Sequence, residues 1–390
     1  MKVNTPLPPR QSQHSKSRSK SSSKPSSKSN PRARSKSTKK KMPTWLKAML
    51  TGIILLVITG VGIATYLVLY ANNKLPTIST VEKGGAGNQV VVPTLAPQSE
   101  PFSFVLMGVD YRKELPGMRT DVVMVGAMHP ETKEAVLVSL PRDTHFSIPG
   151  YGPDKLNHFY PNFHSLHKKG QLDSPTPMEE MKVMLGKYMD LDIDHAMEIN
   201  FQGFVQVVDA LGGVSMNVDQ NMCYRDRADG TNINLKAGQQ DLSGQEALDL
   251  VRYRKSNCSP RTPETTDEDR NLRQNAVLQE LVGNMQSLGG FSKVTDIIDA
   301  LADNFKIDMT STQIRDSFTT YIDINRNNIH YVSVGGDWKS PYIYINEEKL
   351  ALAKQLLKDV MDGKSITPEQ AAGENVADSS ESAPNSAPTR

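Results

Sequence analysis

The chain has 390 residues, with 45 Lys+Arg against 43 Asp+Glu and a formal net charge of +2, yet this near balance hides a division. Positions 1–47 hold fourteen basic residues and no acidic one, and the first carboxylate is Glu82, which leaves the rest of the chain at about −12. Two cysteines exclude a disulfide-built scaffold and a Cys-ligated zinc site, and the lack of a Gly-X-Y or short repeat argues against a collagen-like chain or solenoid.

Met49–Tyr70 is 22 residues without a charge, flanked by Lys47 and Lys74. As a helix it reaches roughly 33 Å, enough for a hydrocarbon core of about 30 Å. Trp45, Tyr66 and Tyr70 suit the two interfaces. The run is too long for a signal-peptide core, and no A-x-A site follows it, so it reads as an uncleaved anchor. Lys39, Lys40, Lys41 and Lys47 place the N-terminus in the cytoplasm and everything after Tyr70 outside. The basic Ser-rich tail has no aromatic residue before Trp45 to stack on bases, so it reads as a topology determinant beside membrane lipid, and no nucleic-acid partner is expected.

The organisation that follows is a basic disordered tail (1–47), a transmembrane signal-anchor (48–71), a linker rich in Pro and Gly (72–100), a folded domain (101–362) and a disordered tail (363–390). Within the domain, apolar runs predict strands at Phe102–Val109, Val122–Ala127, Ala135–Leu140, Val214–Val218 and Ile329–Val334. Helical periodicity predicts helices at Pro177–Met189, Phe201–Leu211, Ser243–Val251, Glu268–Leu288, Val294–Phe305, Thr312–Ile322 and Glu347–Met361, with a capping box from Ser243 to Glu246. Strands interleaved with helices predict an α/β fold, its sheet covered on both faces.

Charged residues at the strand ends carry the chemistry. One strand stops at Val109-Asp110, the next opens Arg119-Thr120-Asp121, and a third ends in Arg142-Asp143. Such positions flank the ligand crevice of open α/β sheets. Two carboxylates beside guanidinium groups make a cation site next to an anion clamp, because Mg²⁺ takes one or two carboxylates plus phosphate oxygens and Arg binds phosphate bidentately. An extended Arg252-Tyr253-Arg254 step would put two guanidinium groups on one side. Asp267, Arg270 and Gln274 share a helical face, with Arg273 beside it and Asp267 a candidate N-cap. Several Arg-bearing clusters point to a polyanion, most simply a pyrophosphate.

The stretches GVD…RTDVVMV, VSLPRDT, KLNHFY, Tyr224-Arg225-Asp226, LSGQEALDLVRYR and DEDRNLRQNAVL, in this order across roughly 101–285, resemble the LytR-CpsA-Psr family of membrane-anchored cell-wall ligases. The resemblance implies a three-layer α/β/α sandwich with a mixed central sheet and a hydrophobic channel for a polyprenyl tail. It implies Mg²⁺, with Mn²⁺ as an alternative, on Asp110 and Asp121. It implies pyrophosphate binding by Arg119, Arg142, Arg252, Arg254 and Arg270, with Gln274 as a further contact, and a catalytic set of Arg142, Asp121 and Asp267. The implied reaction moves an anionic glycopolymer, of teichoic acid or capsular polysaccharide type, from a polyprenyl-pyrophosphate carrier to peptidoglycan. A hydrolase acting on the same donor and a non-enzymatic membrane-bound regulator are the alternatives.

Asp121 and Asp143 are the candidates for deprotonating the acceptor. The segment KSNCSPRTPETT lengthens the step between the RYR stretch and the Asp-x-x-Arg helix, and its Cys258 and the upstream Cys223, both outside the membrane, are expected to pair. The histidines show no metal-ligand spacing, and Met181, Met184 and Met189 read as core or channel lining.

Overall fold

The computed structural model describes residues 65–83, 96–111, 117–227, 230–287 and 294–372, and the side chain of Asp267 lies outside the described set. The basic tail, most of Met49–Tyr70 and residues 373–390 also lie outside it. Among the described residues no helix is long and apolar enough to cross a membrane.

The strands are β1 (Phe102–Tyr111), β2 (Met118–His129), β3 (Glu134–Leu140), β4 (His145–Ile148), β5 (Tyr151–Lys155), β6 (His195–Asn200), β7 (Val214–Val218), β8 (Met222–Arg225), β9 (Asn232–Leu235), β10 (Gly238–Leu242), β11 (Phe305–Ile307), β12 (Ile329–Ser333), β13 (Gly336–Lys339) and β14 (Tyr342–Ile345). The main helices are α1 (Leu156–Lys168), α2 (Pro177–Met189), α3 (Phe201–Leu211), α4 (Gly244–Arg252), α5 (Asp267–Gln286), α6 (Val294–Ala302), α7 (Ser311–Tyr321) and α8 (Glu347–Met361).

Six strands form the central sheet in the order β11-β6-β1-β2-β3-β12. The β1/β2, β2/β3 and β6/β11 pairs are antiparallel, while β1/β6 and β3/β12 are parallel, so the sheet is mixed as expected. Side-chain alternation sorts its residues between two apolar layers. Val105, Met107, Val109, Val123, Val125, Val136 and Val138 face α1, α2 and α8, whose Phe159, Met181, Leu185, Leu356 and Leu357 close that layer. Phe102, Phe104, Leu106 and Leu137 face the other side, where Leu75, Ile78 and Tyr321 cover them. Each fully buried Val, Leu or Met contributes about 1.5–3 kcal/mol, so both faces must be covered for the sheet to persist. A third cluster, around Val208, Val214, Leu235, Leu250 and Val277, joins β7–β10 to α3, α4 and α5.

Several boundaries depart from the sequence reading. Residues 65–78 are helical, with Tyr66, Val68 and Leu69 exposed but Leu75 and Ile78 buried against the sheet, so part of the stretch read as linker packs on the domain. At the other end, Ile366 is buried and Pro368–Ala372 is helical within the stretch read as a loose tail. Helix α1 has no counterpart in the sequence reading because Pro161 lies inside it, yet Leu156, Phe159, Tyr160 and Phe163 bury at helical spacing and hold it. The predicted helix to Phe305 stops at Ala302, and Phe305 begins β11.

Candidate active site

The site is built where β1 ends and β2 begins. Gly108 pairs with Val122 and Val109 with Thr120, so Asp121 is the extra residue of a β-bulge, a device that turns a side chain out of the regular pleat. Gly108 makes this approach possible, since a Cβ there would sit 2.9 Å from the Val122 Cβ. Asp110 and Arg119 are direct cross-strand partners one step further along.

Beyond β3, the turn at 141–144 carries Arg142 and Asp143. Arg142 Nη1 donates to Asp121 Oδ1 at 2.5 Å, and its Nε lies 3.5 Å from Asp143 Oδ2. Lys155, the last residue of β5, donates from Nζ to Asp143 Oδ1 at 2.8 Å. The backbone is held as firmly, because Asn157 N donates to Arg142 O, Thr144 N to Pro141 O and Ile343 N to Asp143 O at 2.9–3.1 Å. Burial opposes the charge on Asp143, but the Lys155 hydrogen bond and the Arg142 guanidinium outweigh it and hold the carboxyl below its usual range. Asp143 thus helps to orient Arg142 from one side, as Asp121 does from the other.

Helix α4 begins with the expected capping box, Ser243 accepting from Glu246 N and the Glu246 carboxylate accepting from Ser243 N. Its last residue is Arg252, with the guanidinium 4.9 Å from the Phe201 ring centroid. The extended Arg252–Arg254 step is therefore not formed: Arg252 is still helical, Tyr253 turns fully inward, and Arg254 leaves in the following loop. Both arginines nonetheless reach the same cavity. Helix α5 is capped by Thr266 through a capping box with Asp269, which corrects the assignment of Asp267 as N-cap. Arg273 turns from the shared face to Asp219, with bonds of 2.9 and 2.7 Å, and serves the structure.

Asp110, Arg119, Asp121, Arg142, Arg252, Arg254, Arg270 and Gln274 all line one cavity of about 350 Å³. Tyr224, Asp226, Thr231 and Lys255 also line it, with apolar side chains such as Phe201, Ile233 and Leu248. Lys155 was missed as a member of the site, although it opens the KLNHFY stretch; in sequence a lysine after a turn looks like solvated surface. Burial, then the proximity of Arg142 and Arg254, disfavours the charge on Arg270 and pulls its pKa well below the usual value. Arg254 is shifted the same way by burial and Arg142. Cations held against their mutual repulsion are relieved by an anion.

Asp110 and Asp121 are two hard oxygen donors at this cavity, and among the described residues no group of three or more His, Cys, Asp or Glu is placed to hold a metal. Such a pair suits a Mg²⁺ that takes its remaining ligands from phosphate and water. A larger cavity of about 1430 Å³ adjoins, sharing Asp110, Phe201, Thr231, Leu248 and Arg252. Its wall mixes Lys168, Glu198, Asp303 and Lys306 with Met118, Phe201, Val205 and Leu248. The buried apolar side chains of α3–α5 pack against β7–β10.

The inserted loop closes the edge of the site. Cys223 in β8 and Cys258 form a disulfide, as expected. Asn257 bonds Arg225 twice through its side-chain amide, at 2.9 and 2.7 Å. The Tyr253 hydroxyl meets Thr262 Oγ1 at 2.6 Å, and Thr265 N donates to Arg254 O at 2.8 Å. These bonds tie the insertion to the residues it separates.

An arginine-lined cavity thus opens at the strand ends of an α/β/α sandwich. The family model LytR_cpsA_psr matches residues 65–360, and the chain belongs to the LytR-CpsA-Psr family. A polyisoprenyl-teichoic acid–peptidoglycan teichoic acid transferase TagU of Bacillus mycoides is 31% identical over 301 residues, covering 77% of this chain and 89% of its own length. TagT of Bacillus subtilis, a transferase of the same description, is 26% identical over 333 residues, covering 82% and 96%. In fold, the chain resembles B. subtilis TagV (TM-score 0.52, 24% identity, 68% of this chain and 98% of that one). It also resembles TagT bound to LIIa-WTA (TM-score 0.51, 23% identity, 71% and 98%).

Proposed function

We propose that this chain transfers an anionic glycopolymer from a polyprenyl-pyrophosphate carrier to a hydroxyl of peptidoglycan. The observation that carries the reading is the convergence of Arg142, Arg254 and Arg270 on one small cavity that also holds Asp110 and Asp121. The transferase names of relatives up to 31% identical over most of both chains support the polymer and the acceptor.

The chemistry suits these residues. The acceptor oxygen attacks the phosphorus that carries the saccharide, a new P–O bond forms, and the P–O bond to the bridging oxygen breaks, releasing polyprenyl phosphate. The pyrophosphate supplies the driving force, and such a displacement needs charge neutralisation more than a protein nucleophile. Arg142, pinned through Asp121 and Asp143, is preorganised for the reacting phosphoryl group, while Arg254 and Arg270 hold the leaving phosphate. Asp121, carried out of the pleat by its bulge, is the carboxylate best situated to take the acceptor proton. Asp110 and Asp121 would hold Mg²⁺ or Mn²⁺, which when bound supplies further neutralisation of the pyrophosphate oxygens. An anchor through Met49–Tyr70 keeps the domain beside its lipid donor on the outer side of the membrane; the uncharged length of that stretch and the basic residues before it support this placement.

The test uses full-length protein in detergent with a short-chain polyprenyl-pyrophosphoryl saccharide and uncrosslinked peptidoglycan oligomers, with Mg²⁺ or with EDTA. A saccharide-phosphate adduct on the glycan, formed only with the divalent ion, is the expected product. Polyprenyl phosphate released with no adduct would replace the transferase by a hydrolase.

A further inference from the structure

The β13–β14 hairpin stands outside the central sheet and exposes rings that globular proteins normally cover. Trp338 is 56% exposed and Tyr344 40% exposed. The hairpin is nonetheless rigidly indexed to the reacting centre. Thr144 bridges to Ile343, and Ile343 N donates to Asp143 O at 2.9 Å, on the same turn that carries Arg142. His145 stacks on Tyr344 with centroids 5.0 Å apart and meets Tyr342 edge-on at 4.9 Å. Lys155 lies 6.0 Å from the Trp338 ring centroid while its ammonium holds Asp143. The exposed indole is thus one side chain removed from the residues that hold Arg142. Lys339 adds a second ammonium, 5.3 Å from the Tyr344 centroid.

Resting on the transferase reading above, we propose that this hairpin is the acceptor subsite, with Trp338 and Tyr344 as platforms for sugar rings of the peptidoglycan strand. A pyranose presents a face of C–H groups that packs on an aromatic face, while its hydroxyls stay in water. An exposed, preorganised ring is therefore suited to a saccharide. The peptides borne by that strand carry carboxylates, which the Lys339 ammonium on the hairpin complements. Placement beside the Arg142 turn would bring an acceptor hydroxyl to the cavity while the donor fills it. Trp338 and Tyr344 act by positioning the acceptor, not by touching the phosphoryl group.

The chain has two tryptophans, Trp45 and Trp338, so the full-length Trp45→Phe protein in detergent reports on Trp338 alone. Titration with soluble uncrosslinked peptidoglycan oligosaccharide is expected to give a saturable change in indole emission. In the transfer assay, Trp338→Ala is expected to raise the acceptor KM roughly tenfold with the donor KM unchanged, and Trp338→Phe to restore most of the loss. Flat emission, an unchanged acceptor KM in the Trp338→Ala/Tyr344→Ala double variant, or a rise in donor KM of the same size would overturn the subsite. An emission change with vesicles of anionic lipid and none with oligosaccharide would also overturn it, in favour of a membrane contact. If wild-type protein makes no adduct, the transferase reading fails by itself, and the emission titration still decides whether the hairpin binds glycan.

Discussion

Removing the disulfide separates what the insertion contributes to stability from what it contributes to chemistry. Cys223 and Cys258 lie 35 residues apart, and the loop they close contains β9, β10, all of α4 and both Arg252 and Arg254. Closing a loop of that length restricts the unfolded chain by about 4 kcal/mol on the chain-entropy account. For a domain of this size that corresponds to a melting temperature lower by roughly 8–16 °C in the Cys223→Ser/Cys258→Ser variant. The folded site should lose less, because the two Asn257–Arg225 hydrogen bonds and the Thr265–Arg254 bond still hold the insertion in place. Urea unfolding of oxidised wild type, reduced wild type and the double variant measures the first effect, and transfer rates at 25 °C measure the second. The reasoning is refuted if the three unfold within about 1 kcal/mol of one another, or if activity at 25 °C is abolished while stability is unchanged.

Three further outcomes follow from the site. Lys155→Met leaves Asp143 buried with one partner fewer, so it should cost about 3 kcal/mol of stability and lower kcat more than it raises the donor KM. Because the Asp143 carboxyl is held below its usual range in the folded state, its contribution is present above about pH 4 and is lost as pH falls below that. Wild type should show this acid-side loss in a denaturation series and Lys155→Met should show less of it. Gly108→Ala should push Val122 away and displace the bulge that turns Asp121 into the cavity, costing about 1–3 kcal/mol and weakening the divalent-ion dependence of transfer. Arg270→Gln removes one of the guanidinium groups that converge on the cavity and should weaken pyrophosphate binding roughly tenfold or more; calorimetric titration checks it.

The candidate residues were legible because charge where an apolar strand stops is conspicuous. Asp110, Arg119, Asp121 and Arg142 announce themselves that way, and the Arg270–Gln274 spacing follows from helical geometry. What the linear chain hid were facts of pairing. The bulge at Asp121 exists only in the register of β2 against β1, and Lys155 matters only because β5 returns beside the 141–144 turn. Short strands such as β8, β9 and β11 are too brief for their alternation to stand out, and Pro161 disguised α1. The hairpin WKSPYIYI mixes aromatic, polar and proline residues in a pattern that reads as loop, and its two exposed rings acquire meaning only from the turn they dock against.

The most direct test of the central claim is a stoichiometry. With full-length protein and a donor carrying a labelled saccharide-linked phosphate, each phosphate gained by the peptidoglycan oligomer should be matched by one polyprenyl monophosphate released, and Arg142→Ala should abolish both together. Release of polyprenyl phosphate without phosphate on the acceptor, or transfer that persists in Arg142→Ala, would contradict the account.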